Sequence, residues 1–375
     1  MESALSAICS FTLAAALFGK FLLRYAAFVP NKLKATLTHI EFIICYNTYE
    51  EVSVGKKALV IGIDEYPSSP LDCCVNDAKA IASLLERNED GSKNFDVRLA
   101  INVSSKNEIA EVIQTLFSGD DEVALLYFSG HGIAKNDGEY LCTPDFTQSY
   151  PGVKLSDIST WIVNSKCKNK IVILDSCFSG GMGNNPLMAD CAELVKGVTI
   201  LAASKSTECS VEYDEHGVFT SLLIGALKGG ASDLLGNITP GAIYAYIDKA
   251  LGRWEQRPVF KTNVQEFISL RAVNPPVKCE DLKALKEIFN APEEDFSLDP
   301  SFEFTNDPKQ KHTYEKPYAV EDNVKKFKLL QRLERVGLVE PVGTEHMYFA
   351  AMESKACRLT ALGKYYLMLA QKERI

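Results

Sequence analysis

Two residues that can do covalent chemistry each follow a buried strand directly. The apolar run 123–128 leads into Ser-Gly-His131-Gly132, and the run 171–174 leads into Asp-Ser-Cys177. A cysteine acts as a nucleophile when a base takes its proton and backbone N–H groups stabilise the oxyanion formed by its attack. We therefore predict His131 as the base, Cys177 as the nucleophile, and the backbone N–H groups of Gly132 and Cys177 as the oxyanion donors.

A structural role is the alternative for either residue alone, because free cysteines are commonly buried and inert and single histidines are usually structural. The two residues together favour chemistry, since functional groups collect where the carboxyl ends of parallel strands meet. The flanking glycines also allow the backbone to approach a substrate closely. The sequence thus indicates one site that is built from two strand ends.

The elements that must position this site alternate regularly from Lys57 onward. Short apolar runs, typical of strands buried on both faces, alternate with helical spacings, which indicates a mainly parallel sheet covered by helices. The predicted strands are 58–63, 95–101, 123–128, 171–174, 198–201 and a closing strand at 266–270, and the predicted helices are 77–85, 106–117, 155–163, 219–227 and 241–251.

The strings around the histidine and the cysteine resemble the motifs of the caspase clan (peptidase family C14), and most nearly those of metacaspases and orthocaspases. These strings are Tyr127-Phe-Ser-Gly-His-Gly132 and Asp175-Ser-Cys-Phe-Ser-Gly180. His131 and Cys177 are 46 positions apart, close to the ~50 of caspases. The resemblance covers about residues 56–271. It implies a caspase–haemoglobinase-like α/β fold and a thiol endopeptidase that acts on proteins or peptides.

The bond that is cut follows from the same resemblance, which is closer to metacaspases than to true caspases. True caspases hold an aspartate with arginines and carry a Gln-Ala-Cys motif, whereas this chain has Asp-Ser-Cys177. The metacaspase pattern implies an acidic substrate pocket formed by Asp77 and Asp175 and completed by Ser129. Two converging carboxylates bind a guanidinium or ammonium group through charge-assisted hydrogen bonds, so we predict cleavage after Arg or Lys. The alternative for Asp77 is a charge that the helix dipole stabilises.

Metacaspases also suggest calcium and self-cleavage. Asp145 and Asp157 fall near two of the calcium positions, but Asn184 stands where a further acid is expected. A hard cation takes six to eight oxygen ligands, so we predict no metal site and no cofactor. Self-cleavage in the loop after the nucleophile requires a basic residue there, and Lys196 is the one that the loop offers.

The sequence divides into four segments: an apolar extension 1–54, a peptidase domain 55–271, a linker 272–316 with at most one short helix, and a C-terminal domain 317–375. Residues 4–29 are mostly apolar but contain Lys20 and Arg24. Such a run fits a membrane anchor or an interfacial helix, although it is short against the ~20 residues of a span. The alternative is a true start near Val54.

The pattern of the C-terminal domain predicts a helix at 324–336, strands at 338–341 and 347–352, and a helix at 361–371. This order of elements resembles a winged helix. Its first helix is basic, as in DNA-binding modules, but it lacks an aromatic–basic stripe, so docking of a regulatory protein is favoured over DNA. This leaves a second function for the whole chain, a catalytically vestigial scaffold or a DNA- or partner-binding regulator. The presence of both His131 and Cys177 favours the enzyme.

Composition excludes several other classes. A net charge of -9 argues against a protein that coats nucleic acid. Eleven cysteines without any CxxC pair argue against zinc knuckles and a disulfide framework, and favour a reducing, cytoplasmic setting. The alternative location is a membrane, reached through residues 4–29. The first strand leads into Asp-Glu-Tyr66-Pro rather than a glycine-rich phosphate cradle, which excludes a nucleotide-binding protein.

Overall fold

A computed structural model describes residues 55–176, 178–179, 194–203, 216–251, 257–264, 266–309 and 314–375. Cys177, Asn184 and residues 4–29 lie outside these ranges. Contacts divide the chain into two units, Met1–Ser53 and Val54–Ile375, and every described residue belongs to the second. No helix in the described ranges is long and apolar enough to cross a bilayer.

A six-stranded sheet forms the centre of this unit. The strands of residues 55–272 are β1 (Lys56–Gly62), β2 (Asp96–Ile101), β3 (Val123–Ser129), β4 (Gly132–Lys135), β5 (Gly138–Cys142), β6 (Gly152–Lys154), β7 (Asn169–Asp175), β8 (Phe178–Ser179), β9 (Val198–Ala202), β10 (Asn237–Ile238), β11 (Val259–Thr262) and β12 (Arg271–Ala272). The central sheet has the order β2-β1-β3-β7-β9-β11, and only β11 is antiparallel to its neighbour. The predicted α/β class with a mainly parallel sheet is confirmed.

Helices cover both faces of this sheet. They are α1 (Cys74–Glu86), α2 (Lys106–Phe117), α3 (Leu155–Asn164), α4 (Val218–Gly225, continued by a π-helical turn at Ala226–Gly230) and α5 (Pro240–Ala250). Alternate residues of β3 point to opposite faces, as the period of a strand requires. Leu125 and Tyr127 pack with α1, α4 and α5, whereas Leu126 and Phe128 pack with α2 and α3. Every side chain of β3 is buried, which explains its unbroken apolar sequence.

Helix α1 lies close to the carboxyl end of β1 because Gly62 has no side chain. A Cβ atom at Gly62 would lie 2.3 Å from the carbonyl oxygen of Cys74 and 2.6 Å from the Cβ of Ala78. Asp64 in the preceding loop accepts hydrogen bonds from the N–H groups of Cys74 and Val75, at 2.8 and 3.1 Å. A carboxylate at this end of a helix satisfies N–H groups that lack partners within the helix. The loop therefore fixes the first turn of α1.

A second, four-stranded sheet continues from the carboxyl ends of β3 and β7, in the order β6-β5-β4-β8. Strand β4 is antiparallel to β5 and parallel to β8. The sequence analysis does not predict these strands, because they are two to five residues long and three of them begin at a glycine. A strand this short leaves too few alternations to detect.

The predicted closing strand at 266–270 is wrong. The closing strand is β11, which pairs with β9 from Val259 to Thr262. Ile268 and Leu270 are buried in the core beside α5, but their backbone is irregular. Their apolar side chains indicate that the segment is buried, but a short segment can be buried without forming a strand.

The C-terminal part contains α6 (Cys279–Lys283), α7 (Leu285–Ile288), β13 (Phe296–Ser297), a 3-10 turn (Pro300–Phe302), α8 (Glu321–Arg335), β14 (Val339–Val342), α9 (Met347–Met352), β15 (Ala356–Leu359) and α10 (Ala361–Gln371). Its sheet is antiparallel in the order β13-β15-β14. The strand predicted at 347–352 is wrong, since this segment is helix α9 and the return strand is β15. The winged-helix assignment stays a prediction.

The segment predicted as a linker, 272–316, packs with the C-terminal helices. Its Leu282, Phe289 and Phe302 share one buried cluster with Leu330 of α8. Strand β13 of this segment pairs with β15. The few apolar residues that make these contacts are separated by proline and acidic residues, so the sequence pattern does not reveal their packing. The segment therefore differs from the linker that we predict.

Candidate active site

The backbone of His131 is fixed on both sides of its Cα. Its N–H donates to the Oη atom of Tyr66 at 3.1 Å, and its carbonyl accepts from the N–H of Cys142 at 2.8 Å. Tyr66 Oη in turn donates to the carbonyl of Cys142 at 3.3 Å. The phenol ring also meets the imidazole edge-on, with 4.6 Å between ring centroids. Tyr66 is thus a buried clamp that holds His131 against β5.

The imidazole of His131 is oriented by a carbonyl group. Its Nε2 atom lies 2.8 Å from the carbonyl oxygen of Ser69. A carbonyl can only accept a hydrogen bond, so Nε2 carries the proton and Nδ1 of the neutral ring has a lone pair. This is the arrangement that a general base needs, with one nitrogen held and the other able to take a proton.

Two strand pairings lie on either side of the predicted pair His131 and Cys177 along the chain. Strands β3 and β7 pair Ser129 with Asp175, and β4 and β8 pair Gly132 with Phe178. Both pairings join residues with the same separation along the chain as His131 and Cys177. Cys177 itself lies outside the described residues, so the dyad and the oxyanion donors stay predictions.

The predicted pocket residues Asp77, Asp175 and Ser129 come together in the structure. A Cβ atom placed on Gly217 would lie 3.4 Å from Oδ2 of Asp175 and 3.6 Å from Oδ2 of Asp77. Ser129 Oγ donates to Oδ2 of Asp77 at 3.4 Å. Two carboxyl groups from different elements therefore face the same glycine, at the carboxyl end of the strand that precedes His131.

The alternative for Asp77, a charge placed for the helix dipole, does not account for these contacts. Asp77 lies in the first turn of α1, but the N–H groups of that turn are bonded by Asp64. The Asp77 side chain is 2% exposed and turns to Ser129 and His216 instead. These contacts place it beside Ser129, and its role in binding substrate stays a prediction.

Both carboxyl groups hold their protons more strongly than usual. Burial and then the charge of Asp175 raise the pKa of Asp77 to about 7, while a hydrogen bond from His216 opposes the rise. Burial likewise raises the pKa of Asp175, whose Oδ2 accepts from Thr220 Oγ1 at 2.6 Å. Thr220 Oγ1 is also 2.6 Å from Tyr127 Oη, so the phenol can donate to it. Asp77 therefore changes charge near neutral pH.

Four residues of this site are missing from the sequence-based prediction: Tyr66, Ser69, Thr220 and His216. No spacing rule connects them to His131 or to the acids, because Tyr66 and Ser69 reach the site from the loop after β1 and His216 and Thr220 from the start of α4. Ser69 acts through its carbonyl group, which every residue has.

Two further residues named in the sequence analysis, Asp145 and Lys196, make contacts that stabilise the fold. Both oxygens of Asp145 accept from the N–H of Lys106 at 3.1 Å, so this carboxylate bonds the first residue of α2. The described ranges contain no group of three or more His, Cys, Asp or Glu arranged to hold a metal. Lys196 is exposed, and its carbonyl accepts from Nζ of buried Lys170 at 3.0 Å.

Comparison with known proteins gives one family and a set of distant structures. The family model described as the caspase domain, Peptidase C14, matches residues 55–266. Two similar solved structures are described as the crystal structure of caspase-1 from Spodoptera frugiperda and the structure of pro-sf-caspase-1. Both are 13% identical to this chain and cover 58% of it; the matches span 90% and 93% of those chains, with TM-scores of 0.41 and 0.40. Among curated proteins, no match to the sequence is found.

Proposed function

This chain belongs to the caspase-domain family of cysteine peptidases, and from that membership we propose that it is an endopeptidase that cleaves after arginine or lysine. Cys177 is the nucleophile and His131 the base. The observation that carries the specificity is the convergence of the Asp77 and Asp175 carboxyl groups at Gly217.

The proposed reaction has two halves. Nδ1 of His131 takes the thiol proton of Cys177, and the thiolate attacks the carbonyl carbon of the cleaved bond. The backbone N–H groups of Gly132 and Cys177 stabilise the oxyanion, and the C–N bond breaks as the imidazolium gives its proton to the leaving amine. His131 then takes a proton from water as the water oxygen attacks the thioester carbon. The C–S bond breaks and releases the acid, and the imidazolium returns its proton to the Cys177 sulfur.

The held imidazole supports this role for His131. The bond from Nε2 to the Ser69 carbonyl keeps the same ring orientation in the neutral and the protonated state, because both states have a hydrogen on Nε2. The carbonyl also stabilises the positive ring that forms when the thiol loses its proton.

The acidic pocket supports a basic residue at the cleaved position. A guanidinium or ammonium group would offset the negative charge of Asp77 and Asp175, whereas an aspartate would add to it. The pocket thus both attracts basic side chains and rejects the aspartate that true caspases accept.

Hydrolysis of three fluorogenic peptides that differ only in Arg, Lys or Asp at the cleaved position tests the proposal. We expect the full chain to cleave the first two, and the Cys177→Ala variant to cleave none. Cys279→Ala is the matched control, because Cys279 is an exposed cysteine of the C-terminal part and its loss should leave activity unchanged. A preference for Asp, or activity that persists in Cys177→Ala, would overturn it.

A further inference from the structure

We propose that His216 is an internal hydrogen-bonding partner of the acidic pocket, and that it competes with the basic side chain of the substrate for Asp77. The inference rests on the proposed function and identifies a residue that sets the strength of substrate binding. The competition arises because the imidazole takes the carboxylate oxygen that an entering guanidinium or ammonium group would need.

The contact is short and lies between the buried acid and solvent. Nδ1 of His216 is 2.7 Å from Oδ1 of Asp77, and the His216 side chain is 24% exposed against 2% for Asp77. The other oxygen, Oδ2, accepts from Ser129 Oγ at 3.4 Å, and the N–H of Gly217 also bonds the carboxyl group. Without substrate, the oxygens of Asp77 already have partners from β3 and from the residues before α4.

The surroundings of Asp77 explain why this contact matters. Asp77 of α1 and Asp175 of β7 both face Gly217, and the Cys74 thiol of α1 lies near them but is held neutral by burial, which raises its pKa. In the described part of the chain, neither carboxyl group pairs with a lysine or an arginine, and the imidazole of His216 bonds Asp77 instead. A buried carboxyl group is costly without hydrogen-bond partners, so the imidazole stabilises the empty pocket.

A basic side chain of the substrate must therefore displace the imidazole of His216 from Asp77. The guanidinium group forms two parallel hydrogen bonds with a carboxylate, which the single Nδ1–H of His216 cannot match. The exchange favours substrate, but part of the binding free energy is spent on releasing the imidazole. Removing the imidazole should leave the pocket acids in place and make basic substrates bind more tightly.

Fluorescence anisotropy with a labelled peptide that has arginine at the cleaved position measures this exchange. The parent protein is the full chain with Cys177→Ala, which prevents turnover. Adding His216→Ala should lower Kd about tenfold, as expected for losing a competing charge-assisted hydrogen bond. A peptide with citrulline, the neutral isostere of arginine, should show no such gain. Adding His346→Ala, which removes an exposed imidazole of the C-terminal part, should change neither Kd.

The outcomes separate the two proposals. If the parent prefers arginine over citrulline and His216→Ala leaves Kd equal or higher, the competition is refuted while the basic pocket stands. If the parent shows no preference for arginine, the basic pocket is refuted and the competition with it. His216→Gln, which has a neutral donor, serves if the alanine variant unfolds, and we expect a smaller decrease in Kd from it.

Discussion

At the scale of single residues, the proposed base depends on a tyrosine that does not touch the substrate. Tyr66 Oη accepts from the N–H of His131 and donates to the carbonyl of Cys142, so one hydroxyl joins the loop after β1 to β5. Burial raises the pKa of this phenol far above its usual range, and it stays protonated and able to donate. Its role is to position His131.

Replacing Tyr66 with phenylalanine should lower kcat about tenfold and leave KM for arginyl peptides nearly unchanged. The His131 N–H would lose its acceptor, and an unpaired buried donor costs about 1–3 kcal/mol of stability. Steady-state kinetics and thermal unfolding measure the two effects. Tyr365→Phe is the control, since Tyr365 is 55% exposed in the C-terminal part. A rise in KM with unchanged kcat would show that Tyr66 acts on binding instead.

The acidic pocket predicts a pH dependence that is separate from catalysis. Because the pKa of Asp77 is raised to about 7, this carboxyl is protonated below that pH and charged above it. Binding of an arginyl peptide to the Cys177→Ala protein should therefore strengthen about tenfold from pH 6 to pH 8.

Anisotropy titrations across this pH range test the prediction without turnover. In Asp77→Asn the dependence should become much shallower and binding should be weak throughout. A curve that is equally steep in both proteins would assign the ionisation to another group.

At the scale of elements, the sequence predicts the two strand ends that carry His131 and Asp175 because buried strands and their glycine-flanked ends are local features. It does not predict His216 or Tyr66, because their roles depend on which loops meet across the sheet. The same limit explains the misplaced strand at 266–270, where Leu270 is buried without a ladder. Local patterns report burial, whereas a site is assembled by contacts between distant segments.

The close contact of β1 with α1 sets the position of Asp77, so Gly62→Ala should impair both stability and the pocket. The added methyl group would meet the Cys74 carbonyl and the Ala78 side chain, and overpacking of this kind costs about 1–3 kcal/mol. Urea unfolding should show the loss, and the KM for arginyl peptides should rise as α1 shifts. In Gly241→Ala, where the added methyl group has no neighbour within 4 Å, stability should be equal or slightly higher. An unchanged KM in a destabilised Gly62→Ala would separate the packing from the pocket.

At the scale of the whole molecule, the segment after the caspase domain belongs to the packing of the C-terminal part. Arg332 of α8 forms two parallel hydrogen bonds with Asp281 of α6, at 2.7 and 2.8 Å. Phe289 and Phe302 complete the same buried cluster. Cutting the chain at residue 316 would expose these aromatic side chains, so we place the start of the C-terminal packing near Val277 rather than at 317.

Limited proteolysis with trypsin tests this boundary. Lys283 and Lys286 lie in helices that contribute to the cluster, and we expect cleavage after them to be slow compared with cleavage in unfolded chain. Mass spectrometry of the early fragments gives the cut sites. Leu282→Ala, which opens a cavity in the cluster, should cost about 2–5 kcal/mol and make these sites more accessible. Rapid early cleavage after Lys283 or Lys286 in the unchanged protein would instead support the prediction that residues 272–316 are a linker.

The pairings of β3 with β7 and of β4 with β8 have a consequence for how such a chain can change over time. Hydrogen-bonded ladders, and not the intervening chain, align Ser129 with Asp175 and Gly132 with Phe178. Insertions at the exposed turn between Lys135 and Gly138 leave both ladders intact. The surface between the two motifs is therefore open to variation in length and composition, and new substrates can be acquired while the chemistry is inherited with the sheet.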